Sequence, residues 1–448
     1  MMIEAVRLAV EALASVDAER KGERLALSEA IRELGIRDVG AIRLAHKLVV
    51  ETLKRLNLVD ELVSMALEEA GMKSAFIKPR IRAFLRVLAY RTAIEKADGR
   101  EILEFVRAGR DVLGHKALKP FEKAIGRCMT LTLEEVLSGK GGDERLALEL
   151  GVPMWLLERL YRSLGRRSAI SVLRAFVGKQ PTYIRVNTLK ASEESTLRSL
   201  MSEGIELRPV EGLRHVYEVS EAERPLILTE AYREGLFYIQ DKASCLAVEI
   251  AGPEPGQIVL DVCAAPGAKT SHIAQLMENR GLIISVDFSE RRLKVWKTLV
   301  GKMGVRIALP ILSDARFELP TRLEADIVLL DPPCTSTGAF SRAPSARWRL
   351  TPRSVRNMAS IQARMLDACA EHVRPGGALI YATCSLLVEE NELVVERFLR
   401  AHPDFELERA EPFFGSPGLR GLGACQRLYP HLHACDGYFI AKLRRAGP

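Results

Sequence analysis

From residue 238 onward, short apolar runs alternate with helix-patterned stretches, and four of the runs finish on an acid or a cysteine. The runs cover residues 258–263, 282–287, 305–312, 326–331 and 377–384, with a last one at 436–443. Alternation of this kind leaves few architectures open. It predicts a mostly parallel sheet with crossover helices on both faces. A continuous apolar run suits a strand buried on both sides. In such a sheet, ligands bind beyond the carboxyl ends of the strands. The residues that close the runs are therefore the candidate site.

The first run feeds Asp261-Val262-Cys263-Ala264-Ala265-Pro266-Gly267-Ala268-Lys269-Thr270, a strand-to-helix turn. Its small residues let backbone amides approach a ligand, and the helix N-terminus favours a carboxylate. It is not GxGxxG, which counts against a dinucleotide dehydrogenase. Asp287 closes the second run, placed to accept hydrogen bonds from ribose hydroxyls. Ser289 is read as the cap of a helix reaching Met303. Asp314 follows the third run and can accept from an adenine amino group. Asp331-Pro332-Pro333-Cys334 closes the fourth run and Thr383-Cys384-Ser385 the fifth, which puts two cysteines on one sheet edge. Between them Thr351 caps a helix with Pro352 at its first position.

Together these motifs resemble the Sun/Fmu (Nop-type, RsmB-like) family of RNA cytosine-5 methyltransferases, over roughly residues 180 to 445. The resemblance implies a Rossmann-like core, S-adenosylmethionine as cofactor and RNA as partner. It implies a nucleophile at Cys384, a cysteine assisting release at Cys334 and a base-supporting acid at Asp331. It also implies a cofactor pocket walled by Cys263, Ala264, Pro266, Gly267 and Lys269, with Asp287, Arg292, Asp314 and Asp331. Ala268 departs from the family turn, which usually carries a second glycine there. Two cysteines suit the chemistry because cytosine C5 is a poor nucleophile. A thiolate added at C6 makes C5 electron-rich and must later be expelled. An acid hydrogen-bonded to the ring stabilises charge during addition.

Upstream, residues 1 to about 130 show apolar spacing of helical period, as at Ile42, Ala45, Val49, Leu53 and Leu56, with no strand pattern. This helical bundle resembles the NusB-like RNA-binding domain of some family members, through residues 38–53 and 81–90. Residues 182–190 then read as a strand, followed by a helix capped by Ser192 and strands near 205–209 and 215–219. The string Arg185-Val186-Asn187-Thr188-Leu189-Lys190 resembles the RNA-binding segment before the family's core, and Arg185 and Lys190 are candidate phosphate contacts. The loop from Gly338 to Trp348, with Arg342 and Arg347, suits a flipped base and its flanking phosphates.

The expected class is multidomain, with three parts. An all-α bundle spans 1–135, a helical linker plus small α+β RNA-binding segment spans 136–235, and an α/β methyltransferase core spans 236–448. A net charge of +7 is compatible with a polyanion partner. Eight cysteines without a CxxC pair argue against a zinc ribbon, and the scatter is not a disulfide framework. His431, His433 and Cys435 would share a strand face, yet no further ligand completes a metal set, so no metal is expected. Without a secretory signal or a run of about 18 apolar residues, a cytoplasmic protein is the default and no membrane partner is expected. Ribosomal RNA is favoured over transfer RNA, and a monomer is favoured. Three rivals stand: an amino-group methyltransferase, a DNA cytosine-5 enzyme and a non-catalytic ribosome-assembly factor.

Overall fold

The structure is a computed structural model that describes residues 1–73, 77–178, 180–317, 319–320 and 323–447. The chain divides into two compact units. One comprises Met1–Gly178 with Phe340–Leu350, the other Lys179–Ala339 with Thr351–Pro448.

The first unit is helical among its described residues, from Met2–Glu19 through Arg166–Val177. Its core is built from the apolar faces that the 3.6-residue period sets out, with Leu13, Leu48, Leu62, Leu85 and Phe105 all buried. Phe84 and Phe105 stack at 5.4 Å between ring centroids. Gly109 makes room for this stack, since a Cβ there would lie 2.1 Å from the Phe84 ring. The unit runs to Gly178, past the expected boundary at 135. Residues 142–177 form helices whose apolar faces, such as Leu156, Leu160, Leu173 and Phe176, need burial as the earlier helices do.

The segment Phe340–Leu350 belongs to this helical unit. Arg347 is fully buried. Its guanidinium donates to the carbonyls of Lys54, Gly151 and Phe340 at 3.3, 2.8 and 3.0 Å and lies over the Phe340 ring. Burial lowers its pKa to about 9. The Trp348 indole N–H donates to Leu53 O at 2.6 Å. Arg347 is therefore a packing anchor and not available to a phosphate, which corrects its assignment to flanking phosphates, and the Trp348 N–H is spent on the backbone.

The second unit holds two sheets. The smaller comprises β1 (Tyr183–Val186), β2 (Ile205–Pro209), β3 (Val216–Ala222) and β4 (Phe237–Ile239), in the order β2-β3-β1-β4 and antiparallel. Arg185 on β1 is fully buried, which corrects its assignment as a phosphate contact. It donates to Gln240 at 3.1 Å, to Ser271 at 2.7 Å and to Gln275. Asn187 donates to the carbonyls of Gly235 and Met303 at 2.8 and 2.9 Å. The motif therefore fastens the small sheet to the helix Ala268–Leu276 and to the end of Glu290–Lys302. Lys190 alone of the two proposed contacts is exposed.

The larger sheet carries β5 (Ile258–Val262), β6 (Leu282–Asp287), β7 (Ala308–Leu312), β8 (Ala325–Leu330), β9 (Val373–Thr383), β10 (Phe405–Glu408), β11 (Ser416–Pro417), β12 (Gln426–Leu428) and β13 (Tyr438–Arg445). Its order is β11-β12-β13-β9-β8-β5-β6-β7, with β10 on β13. Strands β5 to β9 pair in parallel, and β13 joins β9 antiparallel. Strands β5, β6 and β8 are buried on both faces, as their apolar runs require, whereas the edge strand β7 exposes Leu309 and Leu312. The strand order reverses between β5 and β8, which opens the crevice where such sheets bind ligands. His431 and His433 lie on a helical turn, Pro430–His433, rather than on the strand face expected for them.

This unit also holds a buried ion pair. Arg427 and Glu392 are both buried, with Arg427 Nε 2.6 Å from Glu392 Oε1 and Arg427 Nη1 3.0 Å from Leu386 O. Removing one partner strands a buried charge. Arg427→Ala should therefore lower unfolding free energy by about 3–5 kcal/mol, read as a lower denaturant midpoint.

Candidate active site

The cofactor side of the edge starts at the turn after β5. Cys263 adopts φ 66°, reversing the chain as it leaves the strand. Ala264 N donates to Val286 O at 3.0 Å, which ties the turn to β6. Gly267 is the N-cap of Ala268–Leu276, at φ 111°, and no side chain caps that helix. Its first-turn amides are thus left for an anionic group. Behind the turn Trp296 Nε1 donates to Thr270 Oγ1, which donates to buried Asp261. Burial raises the Asp261 pKa to about 6.

Asp287 closes β6 and is buried. Its carboxylate accepts from Ala265 N at 3.2 Å and Ser289 N at 3.1 Å, and Arg292 Nη1 lies 3.3 Å away. Arg292 also donates to Ala265 O. Cys263, Ala264, Pro266, Gly267, Asp287 and Arg292 therefore lie around one turn. An uncapped helix start and a carboxylate one strand over suit a ligand with a carboxylate at one end and ribose hydroxyls in its middle. Burial holds the Cys263 thiol well above its ordinary pKa, so it is a neutral wall. Asp314 follows β7, but Arg316 engages both its oxygens at 2.9 Å.

The chemical side lies on adjacent strands. Asp331 follows β8 and Cys384 follows β9, and these strands pair in parallel through Leu330 and Tyr381. The pairing brings Cys334 Sγ to 3.1 Å from Cys384 Sγ, with both thiols free and partly exposed. The contact with Cys384, then burial, push the Cys334 thiol well above its ordinary pKa. Cys334 thus keeps its proton and can donate it toward Cys384 Sγ. Ser336 Oγ is 3.6 Å from Cys384 Sγ. Gly338 N donates to Cys384 O at 2.9 Å, and Gly338 packs so closely on Gly437 that a Cβ would lie 2.0 Å from its carbonyl.

Lys269 Nζ is 2.6 Å from Asp331 Oδ2, so the lysine serves the acid rather than a phosphate. Burial opposes the Lys269 charge, but Asp331 prevails and raises its pKa. The Tyr438 hydroxyl donates to Asp331 Oδ1 at 3.3 Å. Tyr438 reads in sequence only as a core-strand residue, because nothing local shows that β13 starts beside the end of β9.

A second residue missed in sequence is Glu390, fully buried at the end of the 3₁₀ turn Val388–Glu390. It accepts from Thr335 N at 2.8 Å, from Gln362 Nε2 at 2.9 Å, from Ser385 Oγ at 2.5 Å and from Thr335 Oγ1. Burial raises its pKa. The signal was its place, six residues after Cys384 and behind the apolar Leu386-Leu387-Val388.

Two family models match the chain. One, described as "16S rRNA methyltransferase RsmB/F", covers residues 248–444, and the other, an RsmF/B-like ferredoxin-like domain, covers 152–221. The chain is 29% identical over 450 residues to "Probable ribosomal RNA small subunit methyltransferase B" of Bacillus subtilis, covering 98% of each. The Synechocystis protein of the same name is 31% identical, over 76% of this chain and 78% of its own. A "tRNA (cytosine(72)-C(5))-methyltransferase" of Pyrococcus horikoshii is 38% identical over 216 residues, 48% of this chain and 54% of its own. The crystal structure of PH0851 matches with a TM-score of 0.83 at 30% identity, over 99% of each chain. That of NSun6 from Pyrococcus horikoshii with SFG matches with a TM-score of 0.62 at 27% identity, over 66% of this chain and 99% of that one. With the cysteine pair on adjacent strand ends and relatives matching most of its length, the chain belongs to the RsmB/F methyltransferase family.

Proposed function

We propose that this protein transfers a methyl group to C5 of cytosine in RNA through a covalent adduct on Cys384. The observation that carries the reading is the pair of sulfurs 3.1 Å apart on neighbouring strand ends, beside an acid held by Lys269 and Tyr438. An amino-group methyltransferase has no use for such a pair.

S-adenosylmethionine, when bound, supplies an electrophilic methyl group on a sulfonium. The uncapped start of Ala268–Leu276 would hold its carboxylate, and Asp287 its ribose. Cys384 Sγ adds to C6 of cytosine, and the electron pair displaced onto the ring makes C5 nucleophilic. Asp331 accepts from the cytosine amino group and orients the ring, and the Lys269 ammonium beside it offsets the negative charge that addition creates. After methylation the C5 proton leaves to a base, its electron pair forms the C5–C6 double bond, and the C6–S bond breaks. The electrons of that bond return to Cys384 Sγ. Cys334 donates its S–H to the departing sulfur.

Small-subunit ribosomal RNA is the favoured target. The relative so named aligns over nearly the whole chain, whereas the transfer-RNA enzyme aligns over about half of it. The test is nucleoside analysis of unmodified ribosomal and transfer RNA after incubation with the protein and the cofactor. New 5-methylcytidine in small-subunit ribosomal RNA is expected. Methylation at a nitrogen, or of DNA alone, would overturn the reading.

A further inference from the structure

The two cysteine loops meet on one buried carboxylate that the proposed reaction does not use. Glu390 Oε1 accepts from Thr335 N and Gln362 Nε2, and Oε2 accepts from Thr335 Oγ1 and Ser385 Oγ. Thr335 follows Cys334, and Ser385 follows Cys384. Gln362 donates to Pro333 O at 2.9 Å as well, so the residues on either side of Cys334 are both held. Among the described residues no cation pairs with Glu390, and every donor it accepts from is neutral. A carboxylate without a counter-charge is costly to bury, and here four donors offset that cost.

We propose that Glu390 is a positioning residue that sets the separation of the Cys334 and Cys384 sulfurs by joining their two loops through one carboxylate. The inference rests on the reading above for what the sulfurs do, but the distance itself can be read without catalysis.

Side-chain shape separates this role from a general need for a buried charge. Glutamine keeps the length. Its oxygen can accept from Thr335 N and Gln362 Nε2, while its NH₂ faces the hydroxyls of Thr335 and Ser385, which rotate to accept. Aspartate keeps the charge, but one methylene less leaves it unable to reach both loops. Alanine removes the link altogether.

The test uses the full chain as Glu390→Gln, Glu390→Asp and Glu390→Ala, each with a thermal melt. Diamide converts two adjacent thiols to a disulfide and is itself reduced to the hydrazine. The rate of Cys334–Cys384 disulfide formation, mapped by mass spectrometry, therefore reports the sulfur separation. Glu390→Asp and Glu390→Ala should slow it by about tenfold or more, and should lower kcat roughly 100-fold with little change in KM for RNA. Glu390→Gln should stay within about threefold of wild type in both. A folded Glu390→Asp that forms the disulfide at the wild-type rate would overturn the proposal. So would a Glu390→Gln as slow as Glu390→Asp. If Glu390→Ala does not fold, the contrast between Asp and Gln decides. If the disulfide rates follow the expected order while wild type transfers no methyl group, the positioning role stands and the catalytic reading is lost.

Discussion

Replacing Cys384 with alanine should cut methyl transfer by about 10,000-fold, equivalent to roughly 5 kcal/mol of barrier. The magnitude follows from what the sulfur does. Without addition at C6, C5 has no electron density to offer the methyl group, and no neighbouring group substitutes at the same position. Cys334 lies 3.1 Å away, but it leaves from a different strand and keeps its proton. Single-turnover transfer to RNA measures the effect. A melting curve serves as control, since Cys384 is only partly buried and its loss opens a small cavity. If the roles are reversed, Cys384→Ala will instead trap RNA and Cys334→Ala will be inactive.

Cys334→Ala should accumulate a covalent RNA–protein adduct that survives denaturing electrophoresis, whereas wild type shows little. Addition by Cys384 remains possible, because its sulfur and Asp331 are untouched. Departure is slowed because the S–H that meets the leaving sulfur is gone, and roughly 100-fold is expected for loss of such a proton donor. The double variant Cys334→Ala/Cys384→Ala should trap nothing. Sequencing the trapped RNA would also identify the target nucleotide.

The sheet and its functional edge were legible because parallel strands must be apolar throughout, so each acid or cysteine that ends one stands out. Asp287, Asp331, Cys334 and Cys384 were singled out this way, and β8 and β9 do bring the cysteines together. Basic residues were misread for one reason. Arg185 and Arg347 are fully buried and spend their donors on Gln275, Ser271 and backbone carbonyls. A lone arginine in a motif looks the same in sequence whether it meets a phosphate or a carbonyl. Tyr438 and Glu390 were missed because their importance depends on which strand lies beside β9 and which loops meet beneath it. Neither is a local property. Asp314 fell where expected, yet Arg316, two residues on, takes its oxygens.

The most direct measurement uses RNA carrying tritium at C5 of cytosine. Attack through a C6 thiolate adduct must release one C5 hydrogen for each methyl group transferred. The account predicts tritium release equal to methyl incorporation in wild type, and neither in Cys384→Ala. Methyl transfer without tritium release, or equal release in Cys384→Ala, would contradict it.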